Sequence, residues 1–271
     1  ALAAGAQRAV AVERAPRAAR FARFNAALNA DVMTSRPSPA TTTSPADGGA
    51  FGTVSANPPY VAVPAGLPYE VFADGGPDGE RIVEQCTKCA ADVLGAGGLF
   101  VVVLEVHGAP DALGRRLDAW ADGRFARIAV LVDDAPASRI SVDAVAARRG
   151  GSEQSMRDAW AANLRSRGVD AVRNGLVFAV KRDDDHLVLR GDSPARVACF
   201  RARRLWAPPP TNVEARAAMA DALRWLREPG VVARGWLGGS PLASEGRRRH
   251  PESDERSSRD TMITAEWRSY S

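Results

Sequence analysis

Residues 99–106, LFVVVLEV, run for eight positions without apolar–polar alternation. A strand with one wet face alternates with a period of two, because successive side chains point to opposite sides. This run therefore predicts a strand buried on both faces, inside a sheet that helices cover on both sides. The rest of the chain fits such a plan. Residues 9–13 (AVAVE) read as a short buried strand closed by Glu13. Residues 17–29 read as a helix with Ala19, Phe21, Phe24, Ala27 and Leu28 at helical spacing. Residues 50–56 read as a further strand. Residues 80–94 form a helix with Ile82, Val83, Cys86, Cys89, Ala90 and Val93 on one face. Farther on come a strand at 125–134 and a helix at 155–168 that presents Met156, Trp160 and Leu164, with Gly168 as its stop. LVFAVKR and HLVLRG (176–182 and 186–191) read as an antiparallel hairpin at the sheet edge. Alternating strands and helices with apolar strands predict a doubly wound, Rossmann-like α/β fold with a mostly parallel sheet. Its ligand site is expected outside the carboxyl ends of the strands.

Punctuation sets the domain plan. Residues 34–49 (TSRPSPATTTSPADGG) read as a flexible loop, and 67–79 as a glycine-rich loop. Residues 1–207 are predicted to form one domain, 208–236 to add a helix, and 237–271 to form a disordered polar tail. A net charge of +4 permits an anionic partner without requiring one. Three cysteines, Cys86, Cys89 and Cys199, do not suit a disulfide framework and fit a reducing, intracellular setting, the cytoplasm first. The apolar run is far shorter than the roughly 20 residues of a membrane span. The opening residues lack the pattern of a secretory signal, and the absence of an initiator methionine predicts that a longer protein precedes them.

The chemistry concentrates at Asn57-Pro58-Pro59-Tyr60, directly after the strand at 50–56. Proline has no N–H for a ladder and a fixed φ, so the pair ends the strand in something stiff. Such a turn can aim the Asn57 side-chain carbonyl and the Pro58 backbone carbonyl at a flat –NH2 group, with Tyr60 packed over it. That is catalysis by positioning. The plainer alternative is a proline-terminated strand with a cap. Glu13, at a strand end before a helix, is placed to accept hydrogen bonds from ribose hydroxyls; its plainer reading is a solvated charge. The loop Ala73-Asp74-Gly75-Gly76-Pro77-Asp78-Gly79 either lines a cleft with backbone or simply turns the chain. Cys86 and Cys89 resemble half a metal or redox motif, but no second pair exists and core cysteines are the expectation. His107 follows the apolar run; His186 and His250 read as surface residues. No metal cluster, phosphate loop or nucleophile elbow is visible.

These stretches, in this order, resemble class I S-adenosylmethionine-dependent methyltransferases. More narrowly they look like the HemK/PrmC group, which methylates glutamine side-chain amides of release factors and some ribosomal proteins. The likeness covers about residues 1–108 and weakens toward 182. It implies S-adenosylmethionine as cofactor, bound through Glu13 and Asn57. It further implies a catalytic turn of Asn57, Pro58, Pro59 and Tyr60, and a protein partner bearing the target glutamine. Three departures stand against it. The glycine-rich cofactor loop expected before Glu13 is absent, which implies an N-terminally truncated domain. Ser35 or Arg36 stands where an acidic residue belongs, unless Asp31 substitutes through a register shift, and Gly52 stands where an aspartate is usual. Two rivals follow: a methyltransferase for an adenine or small-molecule amine, and a catalytically inactive binding module of the same fold.

Overall fold

The computed structural model describes residues 9–13, 15–28, 33–37, 51–182, 196–203, 205–206 and 212–228. The tail at 237–271, the second hairpin arm at 186–191, Asp31, His186 and His250 lie outside the described residues. The chain divides into two compact units, one of Ala1–Ala46 with Ala243–Ser271 and one of Asp47–Leu242.

The first unit contains one β-α-β crossover. Strand β1 (Ala9–Glu13) leads into helix α1 (Pro16–Leu28), and strand β2 (Met33–Pro37) returns parallel to β1, with Val10 opposite Thr34 and Glu13 opposite Pro37. Pro16 opens the helix, where a missing N–H costs nothing. The loop expected from residue 34 is thus a strand over its first positions. Its Thr-Ser-Arg-Pro composition gave no strand signal; the pairing with β1 supplies what local propensity does not. Of the predicted apolar face of α1, Ala19 is buried, whereas Phe21 and Phe24 are more than half exposed.

The second unit holds strands β3 (Phe51–Ala56), β4 (Leu94–His107), β5 (Phe125–Asp133), β6 (Ile140–Ser141), β7 (Ala171–Lys181) and β8 (Val197–Ala202). Its helices are α2 (Arg81–Val93), α3 (Pro110–Trp120), α4 (Val142–Gly150), α5 (Gln154–Arg165) and α6 (Val213–Arg227). The strand order is β3-β4-β7-β5-β8, with β6 paired to the start of β7. Only β7 runs against the others, antiparallel to β4 on one side and β5 on the other. The sheet is therefore mostly parallel, as the apolar strands predicted. The strand at 176–182 is not at an edge, however: it is the second half of β7, in the sheet interior. Parallel pairing of β8 with β5 was not visible in the sequence.

Helices cover both faces in a Rossmann-like three-layer arrangement. On one face Val83 and Ala90 of α2 and Leu113 and Leu117 of α3 pack on Phe100, Val102, Leu104 and Ile128. There the Phe100 and Phe125 rings stack at 6.0 Å. On the other face α6 sets Ala215, Ala222, Trp225 and Leu226 against Leu131, Phe178 and Phe200. Each fully buried large side chain contributes about 1.5–3 kcal/mol. The two faces of β4 are not equally dry. Phe100, Val102, Leu104 and Val106 are fully buried, whereas Leu99, Val101 and Val103 are half-buried. A third cluster lies around α4 and α5, where Trp160, Leu164, Val142 and Val145 enclose Val61, Ala62 and Val63. Among the described residues no helix is long and apolar enough to cross a membrane.

Candidate active site at the ends of β3 and β4

The ladder between β3 and β4 runs to Ala56 opposite Val102, and the Asn57-Pro58-Pro59-Tyr60 turn follows at once. Asn57 is exposed, Pro58 is buried, and Pro59 and Tyr60 are half-buried. Past the prolines the backbone is fixed again. Val61 N–H donates to Ala73 O, Gly75 N–H to Val61 O and Val63 N–H to Gly76 O, each at 2.9 Å. From α5, Asn163 Nδ2 donates to Ala62 O at 3.3 Å and to Pro77 O at 2.9 Å. Just beyond that helix, Arg167 Nη2 reaches Asp78 O at 3.0 Å. The tetrapeptide is held at both ends, and within it proline fixes φ twice. Among the described residues the Asn57 side chain makes no hydrogen bond, and the residue is exposed.

The stretch 73–79 buttresses the turn, with three of its glycine amides already bonded. Gly76 N–H is taken by Asp74 Oδ1 at 2.8 Å and Gly79 N–H by Gly76 O at 3.0 Å. Gly75 N–H is already used by Val61 O. At Gly79 the backbone has φ +74°, and a β-carbon there would lie 2.5 Å from Tyr60 O and 3.0 Å from His107 Cε1. Only glycine fits, both by conformation and by space. Gly79→Ala is expected to lower stability by about 2–3 kcal/mol, read as a fall in the denaturant midpoint. An unchanged midpoint would show that the loop can move off Tyr60 freely.

Behind the turn lies a group of buried ionisable side chains. The side chains of Glu105 and His107, at the carboxyl end of β4, are 8% and 2% exposed, and that of Arg149, on α4, is 14% exposed. Arg149 Nη2 donates to Glu105 Oε1. His107 Nε2 is 3.4 Å from Glu105 Oε2, and its Nδ1 is 3.2 Å from Asp78 O. Burial pushes the Glu105 carboxyl up, but the His107 hydrogen bond and the charge and hydrogen bond of Arg149 together hold it below its ordinary value. Tyr60 is pushed the opposite way: burial, and then the Glu105 charge, raise its phenol, against the lowering pull of Arg149. A carboxylate held low when folded adds stability that is complete above its unfolded-state value and is lost as pH falls through the folded one. The stability gap between wild type and Glu105→Gln is therefore expected to narrow as pH falls below about 4, measured by urea unfolding along a pH series. A gap that stays constant in acid would show that the carboxylate form gives no such advantage.

Of the sequence-derived site residues, Asn57, Pro58, Pro59 and Tyr60 form one clamped turn. Glu13 ends β1 in the other unit, where its Oε1 accepts the Ala15 N–H at 2.7 Å. His107, flagged only by its position, sits at the back of the turn. Arg149 gave no sequence signal, since 140–150 shows no motif. Glu105 did: it is the one charge inside an eight-residue apolar run. Cys86 and Cys89 are half-buried and in no disulfide, and burial, with a smaller push from Cys89, takes the Cys86 thiol up to about 11. Among the described residues no three His, Cys, Asp or Glu side chains gather as metal ligands. An open groove of about 590 Å³ runs beside the buried charges, lined by Pro68, Tyr69, Glu70, Arg148 and Arg149.

No protein-family model and no curated protein matches the chain. Among solved structures, it is similar to a predicted O-methyltransferase from Agrobacterium tumefaciens at 16% identity and TM-score 0.41, over 77% of either chain. It is similar to a methyltransferase from Pyrococcus furiosus at 18% identity and TM-score 0.34, over 64% of this chain and 62% of that one. It is also similar to a geranyl diphosphate C-methyltransferase from Streptomyces coelicolor, solved with Mg2+, geranyl diphosphate and S-adenosyl-L-homocysteine. That likeness has 16% identity and TM-score 0.33, over 64% of both chains. With TM-scores below 0.5, these likenesses add nothing to what the chain's own geometry says.

Proposed function

We propose that the protein is an S-adenosylmethionine-dependent N-methyltransferase whose acceptor is a planar amide, the glutamine side chain of a release-factor or ribosomal type of protein. The observation behind this reading is the clamped turn: an exposed Asn57 on a buried Pro58, at the carboxyl end of β3, with its own polar atoms uncommitted among the described residues. Two carbonyls, from the Asn57 side chain and the Pro58 backbone, accept the two N–H groups of the amide and hold its plane. Tyr60 packs against that plane. An amide nitrogen is a poor nucleophile, and orientation is what such a site can supply. As positive charge grows on nitrogen, the same two carbonyls stabilise it, so they act more strongly in the transition state than in the ground state.

The resemblance would give the cofactor's ribose to Glu13, at the end of β1 in the first unit. Glu13 has one carboxylate oxygen on its own backbone, which leaves the other, among the described residues, to accept from a ribose hydroxyl. When bound, S-adenosylmethionine supplies a methyl group on a sulfonium: a C–N bond forms as the C–S bond breaks, and the surplus proton leaves nitrogen for water.

The test is to incubate the protein with methyl-labelled S-adenosylmethionine and, separately, with cell-extract protein and nucleic acid. Label in protein, recovered as N-methylglutamine, is the expected result. Label confined to nucleic acid would replace the amide by an adenine amine. Label in neither fraction, together with no cofactor binding in calorimetry, would overturn the enzymatic reading.

A further inference from the structure

The buried charges behind the turn are not explained by stability alone. Taking an ion pair out of water costs about as much as the pair returns, and well-packed apolar residues usually serve a core equally well. Here the other residues of the run are apolar, and the single charge in it stands at the strand end that abuts the turn. Its contacts lead to one place. Glu105 holds Arg149 from α4 and faces His107. His107 meets the Asp78 carbonyl and lies against Gly79, whose backbone is pressed on the Tyr60 carbonyl. Arg149 in turn lies 5.5 Å above the ring of Trp160, the floor of the cluster that encloses Val61, Ala62 and Val63.

Resting on the proposed methyltransferase reading, we propose that Glu105 is a positioning residue: clamped between Arg149 and His107, it sets the seat of Tyr60 and thereby the aim of the Asn57 and Pro58 carbonyls. It does not touch the acceptor. It fixes the glycine-rich loop through His107 and helix α4 through Arg149. The Glu105 and Arg149 charges both act on the Tyr60 phenol, which makes that phenol a reporter of the arrangement.

Two variants separate positioning from bulk stability. Glu105→Gln leaves Arg149 buried without its carboxylate and is prone to unfold. The double variant Glu105→Gln/Arg149→Met removes both charges at similar volume, the kind of exchange that cores tolerate. The chain has three tyrosines, Tyr60, Tyr69 and Tyr270, so Cζ-labelled tyrosine gives three carbon signals, and Tyr60→Phe assigns the one of interest. In the folded double variant the Tyr60 signal is expected to shift and to titrate at a lower pH. The kcat for methyl transfer should fall about 10- to 100-fold, the scale of an ångström of misplacement, while the KM for S-adenosylmethionine stays. Glu105→Asp, which keeps the charge, should recover part of that loss. A double variant with an unmoved Tyr60 signal, or with wild-type kcat, would overturn the proposal. If the wild type methylates no amide at all, the methyltransferase reading fails on its own, and the Tyr60 signal alone decides whether Glu105 seats the turn.

Discussion

Asn57→Ala is expected to lower methyl transfer to a glutamine-bearing acceptor at least ~100-fold, the scale seen when one transition-state hydrogen-bonding group is lost. It should do so without disturbing the fold. Asn57 is exposed and its side chain bonds to none of the described residues, so the substitution falls in the class that changes stability by less than about 0.5 kcal/mol. That combination is diagnostic. A residue that merely capped β3 would show the reverse: a measurable loss of stability and little loss of turnover. The neighbouring positions behave differently, because Pro58 is buried and Tyr60 packs into two core clusters. Substitutions there mix packing with chemistry, which leaves Asn57 as the cleanest probe of the turn. Turnover of Asn57→Ala within a few-fold of wild type, at equal cofactor saturation, would remove the turn from the mechanism.

The elements legible in the sequence were those whose signal is local. The eight-residue apolar run of β4, the proline pair that ends β3 and the helical face of α2 all follow from residues within one element. What the sequence hid depends on partners far along the chain. Met33–Pro37 has the composition of a loop and is a strand because β1 lies beside it. The segment LVFAVKR showed its strand character but not its place, since nothing local says that β4 and β5 will flank it on both sides. The candidate site divides in the same way. Asn57, Pro58, Pro59 and Tyr60 are adjacent in sequence and could be read directly. Arg149, which is 44 residues from Glu105, could not. The glycine-rich loop could be found but not interpreted: its glycines looked free to line a cleft, yet their amides are spent on Val61, Asp74 and Gly76. Phe21 and Phe24 show the limit of periodicity. Their spacing promises a buried face, and burial depends on what covers that face.

Trp160→Ala is expected to cost about 3–5 kcal/mol, the range for deleting a buried tryptophan, and to lower the melting temperature by about 6–20 °C for a unit of this size. The side chain is 1% exposed and is, among the described residues, the largest fully buried one. It meets the Tyr69 ring edge-on at 5.3 Å and takes the Arg149 guanidinium on its face. The cavity left by alanine would open directly beneath Val61, Ala62 and Val63, the segment that fixes the far end of the Asn57 turn. Trp160→Phe keeps an aromatic face for Arg149 and should lose about 1–2 kcal/mol. Hydrogen exchange then distinguishes two ways of failing. If the third cluster is cohesive with the sheet, the Val61, Val63 and Gly75 amides lose protection in parallel with the amides of β4. If those three open alone while β4 stays protected, the turn rests on a separately unfolding patch. The second result would transfer the rigidity of the site from the packed floor to the proline pair and the glycine-rich loop. A loss below about 1 kcal/mol for Trp160→Ala would show that neither the fold nor the turn depends on that floor.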